Sequence, residues 1–310
     1  MIGGGNGSAL VLVALKKYIR QYDLSAVISM TDSGGSSGRL RRELGTLPPG
    51  DIMRAVLALS PYDYLTLRAI FYSPRFSGCG RLNTHNFGNL FLTLCTRYGG
   101  DFLAALKALS QSVSAMGEVL PVTMDSAELV AELENGETVR TEEFIDNPSY
   151  NLGWKIKKVW LDPKVKAYAP VLQKIKEADV IILSPGSLYT SIVASLLPIG
   201  VKNAINKSKA KIIYIAGNSY RSTGETGPEQ LSQFVSQVEN YLPRRIDKVL
   251  FNTHIPSGSE KKYYREKRWS LIKLDIHNLE AKMVMKMDLE KRGGGMCDIK
   301  LGKALRKAIK

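Results

Sequence analysis

Short apolar runs alternate along this chain with longer segments whose apolar positions recur every three or four residues. Met1-Ile2 and the runs at 24–30, 179–183, 212–215 and 249–251 read as buried strands. Between them the periodicity predicts a helix after Ser8 running through Arg20, with Leu10, Val13, Ala14 and Leu15 on its buried side. Further helices are predicted at 51–59, 87–98, 102–114 and 168–177, with another beginning near Leu188. Pro48-Pro49-Gly50 ends the segment before Asp51, whose carboxylate complements a helix amino end. This βα rhythm predicts an α/β fold, a mostly parallel sheet with helices on both faces.

The pattern changes between 119 and 161. Residues 119–124, 128–133 and 138–141 alternate in period two, and Asn135-Gly136 is a type I′ turn signal, so a β-hairpin insertion is expected there, continuing through 154–161. No internal repeat or low-complexity tract interrupts the rest, and a single domain over 1–310 is expected.

A chain of 310 residues with 44% hydrophobic content can bury a sizeable core. No apolar run reaches the roughly 18 residues that cross a bilayer, and the start lacks the regions of a signal peptide, which predicts a soluble cytoplasmic protein without a membrane partner. Cys79, Cys95 and Cys297 are scattered and read as reduced thiols. The net charge of +14 favours an anionic partner: a nucleotide, a phosphorylated metabolite, a nucleic acid or an acidic protein. Sign alone does not choose among these. Groups such as Lys155-Lys157-Lys158 and Arg244-Arg245 also suit a solvated face, and no nucleic-acid-binding module is visible, so nucleic acid is not expected.

The candidate chemistry lies at strand ends. Asp32-Ser33-Gly34-Gly35-Ser36-Ser37-Gly38-Arg39 follows the 24–30 run directly, where open α/β sheets place their ligands. Glycines let backbone amides approach an anion, serines add donors, and Arg39 with Arg41 and Arg42 adds charge, so the loop reads as a phosphate cradle. A flexible linker has similar composition but seldom joins a buried strand to a basic cluster. Gly3 to Ser8 (including Gly4, Gly5, Asn6 and Gly7), Ser184 to Ser191, Gly217-Asn218 and Asn252-Thr253 would line the same carboxyl edge. Gly7-Ser8-Ala9-Leu10 does not complete a dinucleotide fingerprint. No nucleophile with an adjacent base stands out, and Pro185-Gly186-Ser187 lacks nucleophile-elbow spacing and suggests a phosphate-binding helix start.

Taken in order, Gly3-Gly4-Gly5-Asn6-Gly7, residues 32–42, Pro48-Pro49-Gly50-Asp51-Ile52, His85-Asn86-Phe87-Gly88-Asn89-Leu90-Phe91, Leu120-Pro121-Val122-Thr123 and Pro185-Gly186-Ser187-Leu188-Tyr189-Thr190-Ser191 resemble the YvcK-type gluconeogenesis factors, in the superfamily of CofD, the 2-phospho-L-lactate transferase. Asn218 and Gly224-Glu225-Thr226 extend the match over nearly the whole chain. The resemblance implies a three-layer Rossmann-like fold and a cleft for a UDP-sugar, typified by UDP-N-acetylglucosamine. It also implies a link to cell-wall precursor supply and cell shape, exerted through a protein partner, and a homodimer. CofD itself transfers a phospholactyl group from a guanosine diphosphate adduct with magnesium. In that alternative, Mg2+ would sit on Asp32 or Asp51, and otherwise no cofactor is expected.

Departures from the family pattern narrow this. Ser33 stands where a second acid is usual, which weakens a two-carboxylate metal site on Asp32. Arg54 is displaced by one position in Asp51-Ile52-Met53-Arg54, Arg221-Ser222-Thr223 replaces Thr-Gln-Pro, and Cys297-Asp298 replaces a His-Asp pair. The first strand is shorter than the family's, and a truncated start is expected. Asp32 serves as a ligand to metal or ribose, or as a turn former; His85, beside Asn86 and Asn89, as a phosphate donor or a structural hydrogen-bonder; Tyr189 as a uracil platform or as core. Tyr263 and Tyr264 fall where the family places a sugar-binding tyrosine.

Overall fold

The computed structural model describes residues 1–310 other than 74, 75, 281 and 282. In chain order its strands are β1 (Ile2–Gly3), β2 (Ser25–Ile28), β3 (Glu118–Pro121), β4 (Glu128–Leu133), β5 (Thr138–Arg140), β6 (Ile156–Asp162), β7 (Val180–Leu183), β8 (Lys211–Gly217), β9 (Ser219–Arg221), β10 (Lys248–Asn252), β11 (Trp269–Leu271) and β12 (Val284–Met287). Seven form one sheet in the order β12-β10-β8-β7-β1-β2-β3, with every neighbouring pair parallel. Helices surround it, as the βα rhythm predicts. The inner strands are apolar because the sheet is covered on both faces: Ile181, Ile182 and Leu183, Ile212 to Ile215, and Val249 to Phe251 are all buried.

Parallel pairing puts every strand's carboxyl end on one edge. From β1 the chain winds outward through β2 and β3 on one side, then returns to build β7, β8, β10 and β12 on the other. The crevice between the ends of β1 and β7 is therefore a topological switch point, where such sheets hold ligands. There the two loops touch: a Cβ on Gly7 would stand 1.6 Å from the Pro185 carbonyl oxygen. The helix Gly5–Lys16 starts from this contact and packs against the helices Gly50–Leu59 and Asp298–Ile309.

Three expectations change. The run at 119–124 does not join the hairpin, because Glu118–Pro121 pairs in parallel with β2 at the edge of the central sheet. Its positions 119–121 are buried consecutively, which a half-exposed hairpin strand would not show. The antiparallel sheet has the order β5-β4-β6 and begins at Glu128. The first helix stops at Lys16, not Arg20, as Tyr18 and Ile19 tighten into bonds to the carbonyls of Leu15 and Lys16. The segment from Leu188 is a wide turn, Leu188–Ile192, followed by a tight one, Val193–Leu196, in place of a regular helix. No helix among the described residues is long and apolar enough to cross a membrane.

Because the Gly7–Pro185 contact leaves no room for a side chain, Gly7→Ala is expected to cost about 1–3 kcal/mol by overpacking. Urea unfolding checks it: the midpoint should fall with an unchanged slope.

Candidate functional site

The loop after β2 turns into the helix Gly35–Leu44, whose amino end has no side-chain cap. Asp32 Oδ1 accepts from the Gly34 amide at 3.2 Å, which closes the turn and leaves the amides of the helix's first turn without a side-chain acceptor. Gly38 permits the turn, since a Cβ there would stand 1.7 Å from the Ser33 carbonyl oxygen. Ser37 Oγ accepts from the Gly50 amide at 3.2 Å and ties the loop to the Pro-Pro-Gly-Asp element. Ser36 Oγ lies 2.7 Å from His85 Nδ1, and Asn89 Nδ2 donates to Ser36 Oγ at 3.1 Å. Burial and the nearby Arg39 lower the His85 imidazole below its ordinary value. Asn86 caps the helix Phe87–Gly99, accepting from the Asn89 amide at 2.8 Å.

Arg39 does not face the turn's amides. Its guanidinium donates to the carbonyls of Asn83 and Arg81 and to Thr84 Oγ1, clamping the stretch that leads to His85. The cation that enters the site is Arg54. Its Nη1 lies 3.0 Å from Asp51 Oδ1, its Nη2 donates to the Tyr72 hydroxyl, and its guanidinium carbon sits 4.5 Å from the Tyr72 ring centroid. Arg54 Nε and Asn89 Oδ1 are buried without a hydrogen-bond partner, and both residues line a cavity of about 210 Å3 with Asp32, Gly34, Gly35, Ser36, Ser37, Tyr72 and Asn86. Arg54 stands three residues after Asp51, a helical spacing that puts both on one face and is the signal that could have singled it out.

Asp51 also reaches the first helix, where its Oδ2 accepts from the Gly5 amide at 2.7 Å. Asn6 is exposed beside it. The antiparallel insertion supplies two acids that sequence reasoning missed. Glu142 accepts from the Ser33 amide at 3.2 Å, while Ser33 Oγ accepts from the Glu143 amide at 2.9 Å. Asp146 holds Arg221 Nη2 at 3.0 Å and accepts from Ser187 Oγ at 3.3 Å. Burial, then the Asp51 carboxylate, pushes Asp32 up to about 6. Burial, then Asp32, pushes Glu142 up to about 8. Both Asp51 oxygens are engaged by Gly5 and Arg54, and among the described residues no group of three or more His, Cys, Asp or Glu is placed to hold a metal ion.

The Pro185–Ser191 loop is filled from within the chain. Glu225 accepts from the amides of Tyr189 and Thr190 at 3.0 and 3.1 Å, where a phosphate was expected, and burial followed by the Asp146 charge pushes its carboxyl up to about 7. Gly186 brings the loop against Ser191, and Thr226 donates to the Trp154 carbonyl at 2.7 Å. Tyr189 is 1% exposed with its hydroxyl on the Ile156 carbonyl, so its ring offers no open stacking platform. Asn218, Asn252 and Tyr264 converge elsewhere on the edge. Tyr264 hydroxyl meets Asn218 and Glu290, and Asn252 Nδ2 donates to Glu290 at 3.0 Å. Three groups therefore line one edge: the Asp32 cavity, the Glu225 plug and the Tyr264 network.

Comparison with known proteins places this architecture. The family model of CofD, 2-phospho-L-lactate transferase, matches residues 1–290. The gluconeogenesis factor of Bacillus subtilis is 37% identical over 284 residues, which span 91% of this chain and 86% of that protein. A Thermotoga maritima relative is 41% identical over 279 residues, spanning 90% of this chain and 86% of its own. A crystal structure of a UPF0052-family protein from Bacillus halodurans, 32% identical, superposes with a TM-score of 0.88 over 98% of this chain and 97% of that one.

Glu142 raised from 4.5 to about 8 binds its proton more tightly in the folded chain, so its contribution to stability is full below about pH 4.5 and is lost as pH rises through 8. Urea midpoints are expected to fall between pH 5 and 8, and Glu142→Gln, which keeps the neutral form, should flatten that slope.

Proposed function

The chain belongs to the CofD family, among its gluconeogenesis factors, and from that premise we propose that it is a regulatory protein that binds a nucleotide sugar of the UDP-N-acetylglucosamine type by its diphosphate. One observation carries the reading: the uncapped amino end of Gly35–Leu44 shares a cavity with a buried guanidinium nitrogen that has no partner. Helix amides and an arginine donor are the usual complement of a phosphate. The acids nearby do not oppose it. Asp51 is balanced by Arg54, Glu142 near 8 stays protonated at neutral pH, and Asp32 near 6 takes up its proton below it. A ligand phosphate would favour their neutral forms further, so binding takes up protons. The regulatory output, on cell-wall precursor supply and cell shape, would pass through a protein partner.

Phospholactyl transfer from a guanosine diphosphate adduct is the second reading. It is favoured by the family model's description and by Asp32, whose carboxyl near 6 could take a proton from an acceptor hydroxyl. Product formation from such an adduct decides for it, and no turnover with selective UDP-sugar binding decides against it.

Calorimetry tests the first reading. UDP-N-acetylglucosamine should bind more tightly at pH 6 than at pH 8. Arg54→Gln should weaken it roughly 10–100-fold, the loss of a charge-assisted hydrogen bond of about 1.5–3 kcal/mol. Ser36→Ala, which leaves the Asp51 pair alone, should weaken it less. Stabilisation by a guanosine adduct but by no UDP-sugar would overturn the proposal.

A further inference from the structure

A second cavity, of about 510 Å3, shares no lining residue with the one at Asp32. Its volume is within the roughly 300–1,000 Å3 typical of small-molecule pockets. One wall is the helix Leu231–Asn240, which buries Leu231, Phe234, Val235 and Val238 and turns Ser232, Gln233, Ser236 and Gln237 towards the cavity. In a chain of net charge +14 this helix carries no lysine or arginine. Its single acid, Glu239, is engaged by the Ile246 amide at 2.8 Å.

Two of the four polar side chains are already committed. Ser232 donates to Asp275, and Gln233 Oε1 accepts from the Glu229 amide at 3.3 Å. Ser236 and Gln237 have no hydrogen-bond partner among the described residues, so a hydroxyl and a carboxamide, each able to donate and accept, face open space. Lys155 and Glu134 line the cavity as one charge of each sign. On the other side the cavity is closed by Gly227, Pro228 and the buried Tyr189 ring. Gly227 lies close against that ring: a Cβ there would stand 3.2 Å from Tyr189 Cε2.

We infer that this cavity is a second ligand site, one that takes a neutral polyhydroxylated molecule, a mono- or disaccharide, by Ser236 and Gln237. Amides and hydroxyls satisfy vicinal hydroxyl groups in both senses, whereas an anion would find no surplus of positive charge. The site is independent of the nucleotide proposal.

Calorimetry on the full chain without nucleotide tests it, with D-glucose and maltose as probes and inorganic pyrophosphate as the anionic control. One of the two sugars should bind with a Kd on the order of 1 mM. Gln237→Leu and Ser236→Val should each weaken that binding tenfold or more while leaving the thermal midpoint and UDP-N-acetylglucosamine binding unchanged. Two results would overturn the inference: neither sugar binds the parent chain, or both variants retain the binding. Pyrophosphate competing for this cavity would overturn it equally.

Discussion

The carboxylate of Asp51 is the fixed point of this molecule. One oxygen holds the Gly5 amide at the start of the first helix, and the other holds Arg54 one turn further along its own helix. Those two bonds join the β1 loop to the Pro-Pro-Gly-Asp element at the switch point of the sheet. They also determine what the neighbouring cavity offers. With Nη1 on Asp51 and Nη2 on Tyr72, Nε is the guanidinium nitrogen of Arg54 left without a partner. The same carboxylate is the charge that, after burial, keeps Asp32 from ionising at its ordinary pH.

The electrostatics of the chain therefore run on two scales. Over the whole surface the charge is strongly positive. Around the edge loops it is acidic, with Asp32, Glu142 and Glu225 all displaced upward by burial and then by a neighbouring carboxylate, Asp51, Asp32 and Asp146 respectively. A positive field draws an anion from a distance. The local acids then make its seat sensitive to protons, which a plain basic cradle would not be.

Much of this was readable from residue order. Apolar runs and glycine-rich junctions located β2, β7, β8 and β10 and the loops on their carboxyl ends, because strands buried on both faces have a strong apolar signature. Partly exposed strands lack it, and β12, with Lys286 among methionines, went unnoticed. Period-two alternation at 119–124 misled for the converse reason, since it reports spacing and says nothing of which sheet a strand joins. Within the site, proximity in sequence was a poor guide to direction. Arg39 sits in the glycine loop yet turns to the 81–84 carbonyls, while Arg54 arrives from another helix. Glu142 was beyond reach because its partner Ser33 is 109 residues away, whereas Glu225 entered through the family resemblance, with nothing in the sequence to show its hold on the Tyr189 amide 36 residues away.

The clamp that Arg39 makes on 81–84 has its own consequence. Three acceptors held by one guanidinium, with the Ser36–His85 contact behind them, make the helix at 35–44 and the approach to Asn86 a single jaw. A jaw already set pays little ordering entropy when a guest arrives, so its preorganisation favours affinity over adaptability.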